Sequence, residues 1–353
     1  MEEIETLETL KPKKKMSFKK KLIIIVISVV VLFTGGGAFL LYGPFDGFRN
    51  FWITTAMTTM THQYLAKWFF SDEEIYKVLA MNGIVEPDGS TDSSLITIKK
   101  NKGNYRFYKN KYEKEILEDS DGKLYKVIDI EGKTYKGFLV AIYDPSKVSV
   151  ATTRYLGTRG EDILTISKAT NATIAMNAGG FYDPDWNSNG ALPHGPVIVN
   201  SKIVSDYTRA QVGGGIVGFT KDDKLVLGRW SAQEALKKGV RDAVDFGPYL
   251  IVNGKSSFVK GNGGWGIAPR TAIGQRKDGI VLFLVINGRL ATSLGADMTD
   301  LCEVMENYGA VNAANMDGGS SSELVINNKI INTPVAAGRY GLRDMATFWI
   351  VKE

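Results

Sequence analysis

The stretch VIVNSKI, residues 197–203, decides how this chain reads. Three β-branched residues run into Asn200-Ser201, a pair suited to φ > 0, and Lys202 resumes the strand, so the unit predicts a hairpin closed by a two-residue turn. The same unit returns as LIVNGK at 250–255 and as LVINNKI at 324–330. The 353 residues also include 38 Gly, 16 Phe, 15 Tyr and 6 Trp, the composition of tight turns and aromatic-rich strands rather than of a helical bundle. A loop precedes each hairpin: His194-Gly195-Pro196, Asp245-Phe246-Gly247-Pro248, and NMDGG at 315–319. If the three hairpins are neighbours, these loops emerge at one end of the sheet and meet at one site.

Outward from the hairpins, the fold class is α+β: a strand-rich, mixed-sheet outer domain over residues 94–353 with short helices. Tyr125 to Tyr143 reads as two strands around Glu131-Gly132. Helices are expected at Glu161–Ala169, after the capping box that opens at Ser231 and up to Gly239, and at Met298–Tyr308 before Gly309. Cys302 lies in the last of these as inert packing.

Residues 22–42, LIIIVISVVVLFTGGGAFLLY, contain no charge and are long enough to cross a hydrocarbon core of roughly 30 Å as a helix. The basic tail before it, residues 1–21, holds Lys11, Lys13, Lys14, Lys15, Lys19, Lys20 and Lys21, which by the positive-inside rule keeps the N-terminus cytoplasmic and the C-terminal domain extracellular. The apolar run is too long for a cleaved signal peptide and lacks a small-x-small cleavage site. Residues 43–93 read as a membrane-proximal helical stalk and linker, with Phe48, Phe51, Trp52, Thr55, then Leu65, Trp68 and Phe69 near a 3.6-residue period. Ser71 caps a second short helix ending at Asn82-Gly83, and PDGSTDSS (87–94) is a polar linker.

One cysteine and two histidines, His62 and His194, forbid a disulfide framework and any Cys- or His-rich metal site. No cofactor is required by the sequence; a Ca²⁺ or Mg²⁺ ion, if used, would sit among carboxylates and carbonyls. Net charge is +5, of which the tail supplies +3, so the remainder has no nucleic-acid footprint.

Four segments carry candidate chemistry. In NMDGGSSS (315–322), the Gly318 and Gly319 amides and the serine hydroxyls can receive an anion, and Asp317 supplies a carboxylate. Arg270 in APRT (268–271) offers a planar fork for phosphate oxygens, or equally a structural salt bridge to Asp245 or Asp317. NAGGFY (177–182) ends a strand as a ligand loop in which Tyr182 would wall a sugar ring, with Trp186 and Trp265 as further stacking surface. His194 is the one histidine of the outer domain, positioned in a loop where it could move a proton near neutral pH.

Together NAGGFY (177–182), HGPVIVNSK (194–202), FGPYLIVNGK (246–255), APRTAIG (268–274), NGR (287–289) and NMDGGSSS (315–322) resemble, in this order, the phosphodiester glycosidase family over roughly residues 138–352. The resemblance implies hydrolysis of the bond between a sugar's anomeric carbon and a phosphodiester oxygen. It implies a phosphate-containing surface glycan as substrate, and for membrane-anchored bacterial members a place beside exopolysaccharide machinery. By motif it carries over Asn177, Gly179, Gly180, Arg270, Thr271, Asp317, Gly318, Gly319 and Ser321, with His194 as an accessory. Asp317, Arg270 and His194 would be catalytic; the others, with Tyr182, would bind substrate. Asn287 stands where the family pattern has Asp, so residue 287 receives no catalytic role. Three alternatives stay open: two-carboxylate chemistry with Asp245 or Asp183 as the second group, a non-catalytic glycan-binding scaffold, and a glycan-modifying transferase.

Overall fold

The computed structural model describes residues 17–59, 62–98, 107–182, 189–207 and 214–353. Lys11, Lys13, Lys14, Lys15, Asp183 and Trp186 lie outside the described residues. The chain divides into two compact units, 1–50 and 51–353.

In the first unit a 25-residue helix, Phe18–Tyr42, is strongly apolar and its most apolar stretch is not buried. It is long and apolar enough to cross a membrane. Its N-cap is Ser17, so Lys19, Lys20 and Lys21, read from sequence as tail, form its first turn.

The second unit begins at Phe51, so most of the stretch read as stalk and linker belongs to the same compact body as the strands. Helix Asp72–Met81 is capped by Ser71 and gives way to a short strand, Gly83–Val85, antiparallel to Phe258–Lys260. Over the linker, Asp92 N–H donates to Asn253 Oδ1 and Thr91 N–H to the Leu227 carbonyl.

Three further sheets, antiparallel throughout among the described residues, build the body. A seven-stranded sheet runs in the order Lys255–Ser256, Tyr249–Val252, Ala310–Met316, Arg270–Arg276, Val281–Ile286, Lys136–Ile142, Tyr125–Glu131. A five-stranded sheet orders Lys202–Tyr207, Gly195–Val199, Val240–Asp245, Ile216–Thr220, Leu225–Gly228. The third orders Lys329–Ile330, Leu324–Ile326, Ile174–Asn177, Thr347–Val351, Val148–Thr152.

Sequence pattern explains the layering. VLFLVI (281–286) is buried throughout because alternate side chains serve two cores. Val281, Phe283 and Val285 enter a core shared by all three sheets; Leu282, Leu284 and Ile286 face an outer core to which helices Lys111–Leu117 and Met298–Asn307 contribute. Helix Ile163–Thr170 covers the outer face of the third sheet and helix Ala232–Lys237 that of the second. In the common core Trp349 is fully buried, meets Phe219 edge-on at 5.6 Å and donates its Nε1–H to Met316 Sδ. Each large apolar side chain removed from water there stabilises the fold by about 1.5–3 kcal/mol.

The three hairpins form as read. Asn200 and Ser201, Asn253 and Gly254, and Asn327 and Asn328 all hold φ between 48° and 76°, the left-handed pair a type I′ turn requires. They occupy three different sheets rather than one. Their upstream loops nonetheless gather, because the sheets close around one core with these strand ends on the same side.

Candidate active site

Two neighbouring strands place the central pair. Thr271 is in register with Met316, so Arg270 and Asp317 leave the seven-stranded sheet side by side. Both line one cavity of about 1180 Å³, together with Gly180, His194, Phe246, Gly318, Gly319 and Ser320. Residues from all three pre-hairpin loops therefore meet there. Among the described residues, five cationic side chains (Lys168, Arg270, Arg289, Arg339, Arg343) and three carboxylates (Asp162, Asp317, Asp344) share its wall.

Arg270 is buried and makes no salt bridge with Asp245 or Asp317 in the structure. Its Nε–H donates to the Ala296 carbonyl at 3.1 Å, and Nη2 donates to the Trp265 and Gly266 carbonyls, each at 2.6 Å. Burial, with the nearby Arg289 charge adding to it and Asp297 opposing it, pulls its guanidinium down to about 10, so it remains a cation at neutral pH.

The turn at 318–321 is where two further arginines converge. Arg289 Nη1 donates to Ser320 Oγ at 3.1 Å, and Arg343 Nη1 to Ser321 Oγ at 3.4 Å. A Cβ on Gly319 would lie 3.2 Å from Arg289 Nη2, so this glycine lets Arg289 close in, and one on Gly318 would lie 3.1 Å from the Pro269 carbonyl oxygen. Arg289 itself holds φ +58°, a left-handed conformation costing roughly 1–2 kcal/mol in a residue with a Cβ. Its N–H donation to the Leu294 carbonyl helps hold it there. Burial, and then the charge of Arg343, lowers its pKa from the ordinary value. Arg343 stacks over the Phe181 ring at 4.5 Å. Three clustered cations of this kind have the charge and donor geometry to suit an anion with several oxygens.

Asp317 is anchored through its backbone. Its N–H donates to the Ala178 carbonyl, its carbonyl accepts from Asn177 Nδ2 at 2.5 Å, and its Oδ1 accepts from the Gly318 N–H. Of the carboxylates sharing the wall, Asp344 is raised above the usual range by burial and then by Asp162. Asp245 is not among the lining residues, although its neighbour Phe246 is. Among the described residues no group of three or more His, Cys, Asp or Glu side chains is placed to hold a metal ion.

The remaining residues singled out from sequence stand behind the wall. Asn177 is fully buried: besides holding Asp317, its Oδ1 accepts from Thr271 Oγ1 at 2.9 Å and from the Glu323 N–H at 3.1 Å. Thr271 and Ser321 are likewise buried. Gly179 donates its N–H to Thr347 Oγ1, and a Cβ there would sit 3.0 Å from the Asp245 carbonyl oxygen. Tyr182 packs edge-on against His194 at 6.2 Å and Tyr207 at 6.0 Å, orienting the imidazole from outside the cavity.

Sequence reading left Arg289 without a role and did not reach Arg343, Asp162 or Asp344. A signal existed for Arg289: it follows Asn-Gly, and Gly288 has no room for a side chain because a Cβ would meet Pro269 N at 2.4 Å. Thr55, Thr58, Thr59 and His62 of the stretch read as stalk also line the cavity, so both histidines of the chain reach it.

A family model described as phosphodiester glycosidase matches residues 170–352, more than half of the chain. The chain belongs to that family. It is 31% identical over 199 residues to the SPbeta prophage-derived protein YomE of Bacillus subtilis, covering 54% of this chain and 30% of that protein. It is 26% identical over 194 residues to human N-acetylglucosamine-1-phosphodiester alpha-N-acetylglucosaminidase, covering 48% of this chain and 34% of the enzyme. The chain thus spans about a third of the length of the curated relatives it matches. The fold is similar to that of the zebrafish N-acetylglucosamine-1-phosphodiester alpha-N-acetylglucosaminidase catalytic domain auto-inhibited by its pro-peptide, with a TM-score of 0.53 and 21% identity, covering 66% of this chain and 85% of that one.

Proposed function

We propose that this protein is a membrane-anchored extracellular hydrolase that cleaves the glycosidic bond of sugar-1-phosphodiesters in cell-surface or exopolysaccharide glycans. The observation that carries the reading is the convergence of Arg270, Arg289 and Arg343 with Asp317 on one cavity. A diester phosphate carries one negative charge; when the C1–O bond breaks, the departing phosphomonoester gains a second. Cations already in place where that charge grows lower the barrier without reorganising.

In the proposed reaction, Arg289, Arg343 and the Gly318–Ser320 turn hold the phosphate, with Arg270 fixing its side of the pocket. Asp317 takes the proton from a water whose oxygen attacks C1, or stabilises the oxocarbenium-like charge that develops there. The C1–O electron pair leaves with the phosphate, and the products are a free sugar and a phosphomonoester. His194 is an accessory donor to the phosphate. The 25-residue apolar helix supports the anchor, and the lysines before it support an inside N-terminus.

The test is to incubate the purified full chain with a synthetic N-acetylhexosamine-1-phosphodiester in H₂¹⁸O. The proposal expects equal amounts of reducing sugar and phosphomonoester, with the label in the sugar. Label in the phosphate, or release of a sugar phosphate, would mean that a P–O bond is cut and would overturn it.

A further inference from the structure

We propose that the membrane-proximal stretch Phe51–Val85 is a positioning element of the catalytic cavity, acting on Arg270 through the loop Gly261–Gly266. The inference rests on the phosphate-binding reading above. The loop depends on outside support, because four of its six residues are glycines in the left-handed region: Gly261, Gly263, Gly264 and Gly266. That support comes from the stretch before it. Asn82 Oδ1 accepts from the Asn262 N–H at 3.0 Å, and Asn262 Nδ2 donates to Thr54 Oγ1 at 2.5 Å. Thr58 Oγ1 donates to the Trp265 carbonyl at 3.3 Å, and a Cβ on Gly266 would lie 2.5 Å from Thr55 Oγ1, so helix and loop are in close contact. The pairing of Gly83–Val85 with Phe258–Lys260 closes the clasp.

The loop then delivers the Trp265 and Gly266 carbonyls to Arg270 Nη2. Two carbonyls 2.6 Å from one guanidinium nitrogen, with Nε held by the Ala296 carbonyl, fix the plane of the fork and so the placement of the Nη1 donors that stay available on this cavity-lining residue. The link from Thr54 to the phosphate pocket therefore runs through one side-chain bond, one six-residue loop and one arginine.

Thr54→Val keeps shape and removes the hydroxyl; Thr54→Ser restores it. Inorganic phosphate is the probe, titrated calorimetrically into the full chain in detergent, with melting temperature followed in parallel. Thr54→Val should weaken phosphate binding about tenfold, the scale of one charge-assisted contact misdirected, and Thr54→Ser should return it to the wild-type value. With the sugar-1-phosphodiester, kcat should fall more than KM rises, as for a contact that strengthens as charge develops. Should Thr54→Val fail to fold, Asn262→Ala breaks the same link from the loop side and should give the same loss. Wild-type phosphate affinity in the folded variants, beside an Arg270→Lys control that loses it, would overturn the inference alone. No phosphate binding by the wild type would overturn the proposed function and this inference with it.

Discussion

Replacing Asn177 by alanine tests how the Asp317 loop is held. The side chain is fully buried and makes three bonds, to the Asp317 carbonyl, the Thr271 hydroxyl and the Glu323 N–H. Each buried partner left unpaired costs about 1–3 kcal/mol. Thr271 keeps an alternative, since its hydroxyl also reaches Ser322 Oγ at 3.2 Å, so two partners bear most of the loss. The expected destabilisation is about 3 kcal/mol, a large share of the roughly 5–15 kcal/mol that holds most domains folded. For a body of this size that corresponds to a fall in Tm of about 4–6 °C, read by differential scanning of the full chain in detergent. Because the bond to Asp317 is among those lost, hydrolysis should drop even at temperatures where the variant stays folded. A Tm within about 1 °C of wild type with undiminished activity would refute the claim that Asn177 organises the site from behind.

Three further changes probe separate parts of the account. Gly319→Ala places a Cβ at φ +61° and 3.2 Å from Arg289 Nη2; it should cost about 1–2 kcal/mol in a urea titration and weaken phosphate binding, measured by calorimetry. Arg289→Lys keeps the charge but loses the fork; kcat/KM for a sugar-1-phosphodiester should fall about 10²-fold while Tm stays near wild type. Glu323 is held well above the usual carboxylate range by burial, so the folded state binds its proton longer than the unfolded chain does. Wild-type stability should therefore decline as pH rises from about 4.3, the free-carboxyl value, towards the raised value in the fold. Glu323→Gln, which can still accept from the Arg343 N–H, should remove that slope, so melting curves at pH 4 and pH 8 should show the variant gaining on the wild type.

Local chemistry made much of this legible in the sequence. The three Asn-containing turns are fixed by two residues each, and a run such as VLFLVI announces a strand covered on both faces. Asp317 and Arg270 stood out because glycine and proline mark their loops. What sequence alone concealed depends on distant partners. Arg343 lies in the loop between the turn Arg339–Gly341 and the strand Thr347–Val351, and no local pattern says that its side chain will reach the distant Ser321 hydroxyl. Asn177 and Thr271 look like ligand residues by type, yet full burial and mutual hydrogen bonding place them behind the wall. The helical period of residues 51–59 reports an apolar face but not which loop it will cover, so Thr54 and Thr55 read as stalk until their contacts with the 261–266 loop are seen.

The most direct measurement compares wild-type protein and Asp317→Asn for release of free sugar from a sugar-1-phosphodiester, with phosphate binding and Tm recorded on the same samples. The account predicts that the variant folds, still binds phosphate through its arginines, and loses turnover by about 10²-fold or more. Wild-type turnover by a folded Asp317→Asn would contradict it.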